Sequence, residues 1–196
     1  MKLYFTLTKQ LLLARSLVSL LSSFGRAVLV CEVDSYTIHM LIRQSRLYEF
    51  CTLLKHHYYS RVQQVTEITC SDHPARAQRF SISYVLLSCF YNTRYICSCV
   101  TDAYTPVPSL VALFAGVNWQ EREIWDLFGV LFKNHPDLRR ILTDYGFLGH
   151  PLRKDFPVSG FVEVYFNDMA QLVCYQPLSL AQEFRDFGRF QNPWVV

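Results

Sequence analysis

The chain has 196 residues, enough for one domain with extensions, and 51% of them are hydrophobic and 15% aromatic. Its net charge of +3 marks no basic face, because Lys2, Lys9, Arg15 and Arg26 all precede the first acid, Glu32, and the remaining residues hold 15 bases against 16 acids. A nucleic-acid groove needs an excess of bases and is excluded, while the surplus of aromatics points to surfaces covered by partners.

In chain order, residues 1–26 form an acid-free arm. Leu13, Leu17, Leu20, Leu21 and Phe24 line one face of an amphipathic helix, with Arg15, Ser19, Ser22 and Arg26 on another. The uncharged run between Arg15 and Arg26 is too short to span a bilayer, which needs about 20 residues. Arms of this composition also resemble mitochondrial transit segments, so a partner-docking helix and a targeting segment both stand.

An α+β domain is expected over residues 27–142. Ala27–Val33 and Tyr36–Met40 flank the polar turn Asp34-Ser35, which predicts a hairpin. Leu47, Phe50, Cys51, Leu54 and Tyr58 recur at helical spacing and predict a helix over 46–59, packed on a mixed or antiparallel sheet. Strands follow at Val62–Cys70, from Phe80 to about Phe90, and at Tyr95–Val100, the last two joined by a turn at Tyr91-Asn92-Thr93. Thr105-Pro106-Val107-Pro108 suggests a stiff linker. A short helix should then run to Ala115 and end on Gly116 as a left-handed cap.

The next block is the most charged part of the chain. Residues 121–155 carry six acids and six bases, a balance suited to ion pairing. Asn118 is placed to cap a helix, with Glu121 reaching back to it from the third position. Arg122 and Asp126 are four residues apart, and Gly129 should end the helix. Pro136 favours one more helical turn through Leu142, with Asp137 near its start. Residues 143–196 form the third segment. Gly146, Gly149, Pro151, Pro157 and Gly160 prevent regular structure, yet Tyr145, Phe147, Leu152 and Phe156 supply too many apolar anchors for disorder. An ordered coil on a partner surface is expected. A last hairpin at Glu163–Phe166 and Leu172–Tyr175 precedes an extended tail from residue 176.

Candidate chemistry is sparse. Seven cysteines, an odd number without a Cys-x-x-Cys pair, are expected as buried thiols in a reducing compartment. His135 and His150 lack a third ligand at metal spacing, so both are assigned to hydrogen bonds. His56 and His57 are expected in solvent, and His39 outward on its strand. Glu121 and Glu123 point apart on a helix and cannot share a substrate as acid and base. Arg139 and Arg140 could hold a phosphate or carboxylate, but nearby acids compete for them. Nucleophile-elbow, dinucleotide-binding and Walker motifs do not occur.

One long motif remains. Glu121-Arg122-Glu123-x-x-Asp126-Leu127-Phe128-Gly129-Val130-x-Phe132-x-x-His135-Pro136-Asp137-Leu138-Arg139-Arg140 resembles the signature of the C-subunit family of NADH–quinone oxidoreductase, in mitochondria the ninth NADH dehydrogenase subunit of respiratory complex I. Thr105-Pro106-Val107-Pro108-Ser109-Leu110, Thr143-Asp144-Tyr145-Gly146-Phe147, Gly149-His150-Pro151-Leu152-Arg153-Lys154-Asp155-Phe156-Pro157 and Pro193-Trp194 extend the likeness over about residues 27–194.

The resemblance implies a peripheral-arm subunit of an enzyme that moves electrons from NADH to ubiquinone and translocates protons. It implies an α+β domain with a C-terminal extension wrapped over neighbours, namely the large quinone-site subunit and iron–sulfur subunits. FMN and iron–sulfur clusters would lie in those partners, with no catalytic, cofactor or metal residue here. The expected location is the matrix side of the mitochondrial inner membrane, or the equivalent bacterial face, without a transmembrane helix. Glu121, Arg122, Glu123, Asp126, Gly129, His135, Pro136, Asp137, Arg139, Arg140, Gly149, His150, Arg153, Lys154 and Asp155 would then be structural or interface residues. The expected arrangement is a clamp that orders the coil at 143–160, in which Arg122 holds Asp126 while Arg139 and Arg140 meet acids such as Glu121, Glu123 or Asp144. The chain departs from the family pattern at Tyr165, Gln176, Ser179 and the Val195-Val196 end, which affects ion pairs of the tail. The alternative is a standalone enzyme that takes an anionic substrate on its Arg-rich loop.

Overall fold

The computed structural model describes residues 27–34 and 37–185, so the expected N-terminal helix and the end of the tail lie outside the described residues. Five strands form one mixed sheet in the order β1-β2-β5-β4-β3. They are β1 (Val28–Val33), β2 (Thr37–Ile42), β3 (Gln64–Asp72), β4 (Phe80–Ser88) and β5 (Thr93–Thr101). The β2–β5 pair is parallel and the other three are antiparallel. Among the described residues no helix is long and apolar enough to cross a membrane.

The central hairpin follows from strict alternation. Phe80, Ile82, Tyr84 and Leu86 of β4 and Tyr95, Cys97 and Cys99 of β5 all point to the buried face. Asn92 turns the chain between them with φ 51°, a left-handed conformation that asparagine tolerates. On the opposite face small residues meet, and the Ser83 and Ser98 hydroxyls lie 2.8 Å apart.

Helix α1 (Leu47–His56) follows a single 3₁₀ turn at Gln44–Arg46 and is shorter than its periodicity suggests. Leu47, Phe50, Cys51 and Leu54 form its buried stripe against the sheet. Each such side chain contributes roughly 1.5–3 kcal/mol on burial. Cys51, Cys97 and Cys99 are buried core thiols as expected, whereas Cys89 is exposed. Burial, with the neighbouring Cys51 and Cys70, pushes the Cys99 thiol up to about 12, so it is inert.

Five local expectations fail between residues 105 and 142. The supposed linker contains a short strand, β6 (Val107–Pro108), paired in parallel with β7 (Phe132–Lys133). The helix before Ala115 is only a turn, closed by Leu113 and Phe114 N–H groups on the Leu110 carbonyl. Gly116 is no left-handed cap: it has φ −63° and starts helix α2 (Val117–Phe128). Asn118 therefore lies inside α2 and is not its cap. Gly129 does end the helix, with φ 75° and its N–H on the Trp125 carbonyl at 2.9 Å. The turn through Leu142 is irregular coil, because its N–H groups bond elsewhere.

Two compact units divide at His150 and Pro151. The second contains an irregular stretch and then a hairpin of β8 (Val162–Asn167) and β9 (Leu172–Pro177), as its alternation suggests. Residues 178–185 continue without regular structure.

Candidate functional site

The site is built around the buried acids of α2. Glu121 and Asp126 are both fully buried, and each ties α2 to a segment distant in sequence.

Asp126 gathers five donors. Its Oδ2 accepts the backbone N–H groups of Ile141 at 3.2 Å, Leu142 at 2.8 Å and Thr143 at 2.9 Å. Its Oδ1 accepts the Thr143 hydroxyl at 2.6 Å and Arg140 Nη1 at 3.0 Å. Burial pushes the carboxyl up, but the Thr143 hydroxyl and the three N–H groups outweigh it and lower the acid to about 2. Successive N–H groups of this kind are what an anion-binding loop offers. The carboxylate of Asp126 already fills that position.

Arg140 closes the clamp. Its Nη1 also reaches Thr143 Oγ1 at 3.2 Å, and its Nη2 donates to the Gly149 carbonyl at 2.8 Å. The His150 ring donates from Nδ1 to the Asp126 carbonyl at 2.9 Å and lies 5.5 Å from the Trp125 ring. The coil from 140 to 150 is thus pinned at both ends to the last turn of α2. Leu142, Tyr145 and Leu148 project from it at 59%, 95% and 85% exposure.

Glu121 holds the other side. Its Oε2 accepts the Ser109 hydroxyl at 2.6 Å and its Oε1 the Leu110 N–H at 2.9 Å. The β6–β7 bridge sets this approach, with the Ser109 N–H on the Lys133 carbonyl at 3.0 Å. Asn134, at φ 64°, turns the chain so that His135 Nε2 comes within 3.8 Å of Glu121 Oε2, both side chains fully buried. Burial raises the Glu121 carboxyl to about 7 against the lowering effect of its two donors.

The clamp therefore exists with other partners than expected. Arg122 does not hold Asp126. It is buried, donates from Nε to the Arg139 carbonyl at 3.3 Å, and stacks 4.8 Å over the Trp119 ring. Arg139 pairs with Asp137 at 2.9 Å in solvent, and Arg140, not Arg122, meets Asp126. Glu123 and Pro136 are exposed. In the second unit Arg153 is half-buried, with Lys154 and Asp155 exposed. Sequence reasoning missed Ser109 and Thr143 as partners of the acids, since local spacing carries no sign of such distant pairings. Among the described residues no group of three or more His, Cys, Asp or Glu is placed to hold a metal ion.

Residues 40–162 match the family model described as the respiratory-chain NADH dehydrogenase, 30 kDa subunit. The chain belongs to this family. It is 50% identical over 161 residues to the NADH-quinone oxidoreductase C-subunit of Chelativorans sp. (strain BNC1), covering 82% of this chain and 79% of that one. It is 51% identical over 148 residues to the NADH dehydrogenase [ubiquinone] iron-sulfur protein 3 of Arabidopsis thaliana, covering 76% and 77%. The NADH-ubiquinone oxidoreductase subunit 9 of Acanthamoeba castellanii is 40% identical over 194 residues, 99% of this chain and 98% of that one. A chain in the structure of a membrane-bound sulfane sulfur reductase, an archaeal respiratory membrane complex, shares the fold with a TM-score of 0.63 at 19% identity, over 74% and 85% of the two chains. As a member of this family the chain is a subunit of an oxidoreductase, within a hetero-oligomeric, membrane-associated respiratory complex.

Proposed function

We propose that the chain is a structural subunit of the peripheral arm of NADH:ubiquinone oxidoreductase, seated beside the large quinone-site subunit and iron–sulfur subunits. It carries no catalytic residue of its own. FMN and the iron–sulfur clusters belong to the partners, and the complex couples NADH oxidation by ubiquinone to proton translocation on the matrix side of the mitochondrial inner membrane.

The observation that carries this reading is the Asp126–Arg140 clamp and what it presents. Five donors on one buried carboxylate hold the coil, and the coil exposes Leu142, Tyr145 and Leu148. A chain that spends buried charge to fix apolar side chains in water is prepared for a partner surface. The anionic-substrate reading lacks comparable support, because Arg140 is engaged by Asp126, Thr143 and Gly149, and the N–H cradle already holds a carboxylate.

Arg140→Ala tests the reading. Breaking a buried pair costs roughly 3–5 kcal/mol, because the remaining charge stays unpaired. The variant should lower the amount of assembled enzyme in membranes and leave turnover per assembled complex unchanged. Full assembly with abolished quinone reduction would instead identify Arg140 as a residue of the reaction.

A further inference from the structure

The clamp at Asp126 does not use Glu121, His135 or Ser109, yet these three side chains form a second enclosed polar cluster. Glu121 joins three segments at one point: α2 itself, the Ser109-Leu110 backbone after β6, and the His135 loop after β7. The His135 loop leads directly into the Asp137–Arg140 stretch and the exposed coil.

The hydrogen bonds fix who can change protonation. His135 Nδ1 accepts the Asp137 N–H at 3.1 Å, so the ring proton sits on Nε2, which points to the Asn118 carbonyl at 3.3 Å. Tyr84 of β4 is fully buried, and its phenol is pushed well above its ordinary range by burial first and then by the charges around it, Glu121 included. The buried thiols of Cys51 on α1 and Cys99 on β5, with half-buried Cys70 on β3, act on Tyr84 in the same direction. Lys55 of α1 is bound to the Leu113 carbonyl, and on α2 Arg122 and Asp126 turn to Arg139 and Arg140. Glu123 is in solvent.

Glu121 is the carboxyl at this point on which burial and hydrogen bonding act in opposite directions. As a carboxylate it receives two donors, while Ser109 Oγ accepts the Val111 N–H at 3.2 Å. As a carboxylic acid it must donate, and Ser109 Oγ, 2.6 Å away, is the acceptor in reach. The Ser109 hydroxyl then turns away, and its hydrogen loses its acceptor. Hydrogen bonding favours one form and full burial the other, so the two are closely matched.

The geometry points to a proton-responsive joint, in which Glu121, Ser109 and His135 set how tightly the β6 turn and the loop leading to the exposed coil are held to α2. Opening the joint exposes Glu121 to water, where its proton leaves more readily. Raising the pH from about 5.5 to 8 therefore favours opening. The carboxyl proton passes to solvent and Ser109 becomes a donor.

The test is hydrogen exchange by mass spectrometry on the chain within its purified respiratory complex. Peptides covering 107–112 and 132–142 should lose protection about tenfold or more between pH 5.5 and 8, beyond the intrinsic acceleration of exchange. Peptides from β4 should show no such loss. Glu121→Gln should abolish the difference. Ser109→Ala, which removes a donor to the carboxylate, should shift the transition to higher pH. Equal protection at both pH values in the unmodified complex overturns the joint, as does a pH dependence that survives Glu121→Gln. The joint concerns the chain's own folding and is independent of the assembly role. Failure of the chain to co-purify with other subunits counts against that role, and a flat protection profile counts against the joint alone.

Discussion

Glu121 and Asp126 lie on one helix, both fully buried, and their carboxyls shift in opposite directions. The difference is the number of donors: two for Glu121 and five for Asp126. Desolvation wins in the first case and hydrogen bonding in the second. The consequences for stability have opposite signs. Asp126 is lowered from 3.8 to about 2, so its contribution is present above pH 3.8 and is lost as pH falls through about 2. That shift corresponds to roughly 2–3 kcal/mol. Glu121 is raised from 4.5 to about 7, so its contribution is full below pH 4.5 and is lost as pH rises through about 7. Asp126→Asn should therefore destabilise at neutral pH by about 3 kcal/mol, since the amide nitrogen must face either Arg140 Nη1 or the Ile141, Leu142 and Thr143 N–H groups. The deficit relative to the unmodified chain should shrink as pH is lowered from 4 to 2. Urea unfolding midpoints across that range measure it, and a deficit that does not change with pH would show that Asp126 is not the carboxylate responsible.

At the scale of elements, two glycines make the matching test for helix α2. Gly129 has φ 75° and closes the helix, so Gly129→Ala forces a left-handed alanine and should cost about 1 kcal/mol or more. Gly116 has φ −63° and open space around the position a Cβ would take, so Gly116→Ala should stay within about 0.5 kcal/mol. A shift in urea midpoint for Gly116→Ala as large as that for Gly129→Ala would reverse these assignments. The pair also shows which elements local pattern could reveal. Alternation in Phe80–Ser88 and the spacing of Leu47, Phe50, Cys51 and Leu54 are periodic signals, and β4 and α1 follow from them. The helical turn expected after Pro136 is absent because Asp126, far back in sequence, takes the N–H groups of Ile141, Leu142 and Thr143. Glu121 was expected to cap its own helix but instead reaches Ser109 and Leu110. In both cases a partner distant in sequence outcompetes a local motif, and a single sequence contains no periodic trace of that choice. The family motif, by contrast, contains Glu121, Asp126 and Arg140 but carries no sign of their partners.

At the scale of the whole molecule, the hairpin of the second unit cannot hide its own surface. The register places Val162, Val164 and Phe166 opposite Pro177, Tyr175 and Val173, on one face with no charge. Val162, Val164, Phe166, Val173 and Tyr175 are between 50 and 61% exposed. A two-stranded hairpin is marginally stable by itself and needs a third strand or a packed surface. An apolar patch of this kind favours association when a protein stands alone and favours docking when its partner is present. Val164→Glu separates these consequences. One charge at the centre of the patch should raise the soluble yield of the isolated chain, because it interrupts the apolar face. In membranes the same substitution should lower the amount of assembled complex, because a charge buried against an apolar partner costs several kcal/mol unless it is paired. A surface charge elsewhere, such as Ala170→Glu at an exposed position of the same unit, provides the comparison for nonspecific effects of charge. If Val164→Glu assembles as fully as the unmodified chain, this face of the hairpin is not part of the interface and the assembly role rests on the clamped coil alone.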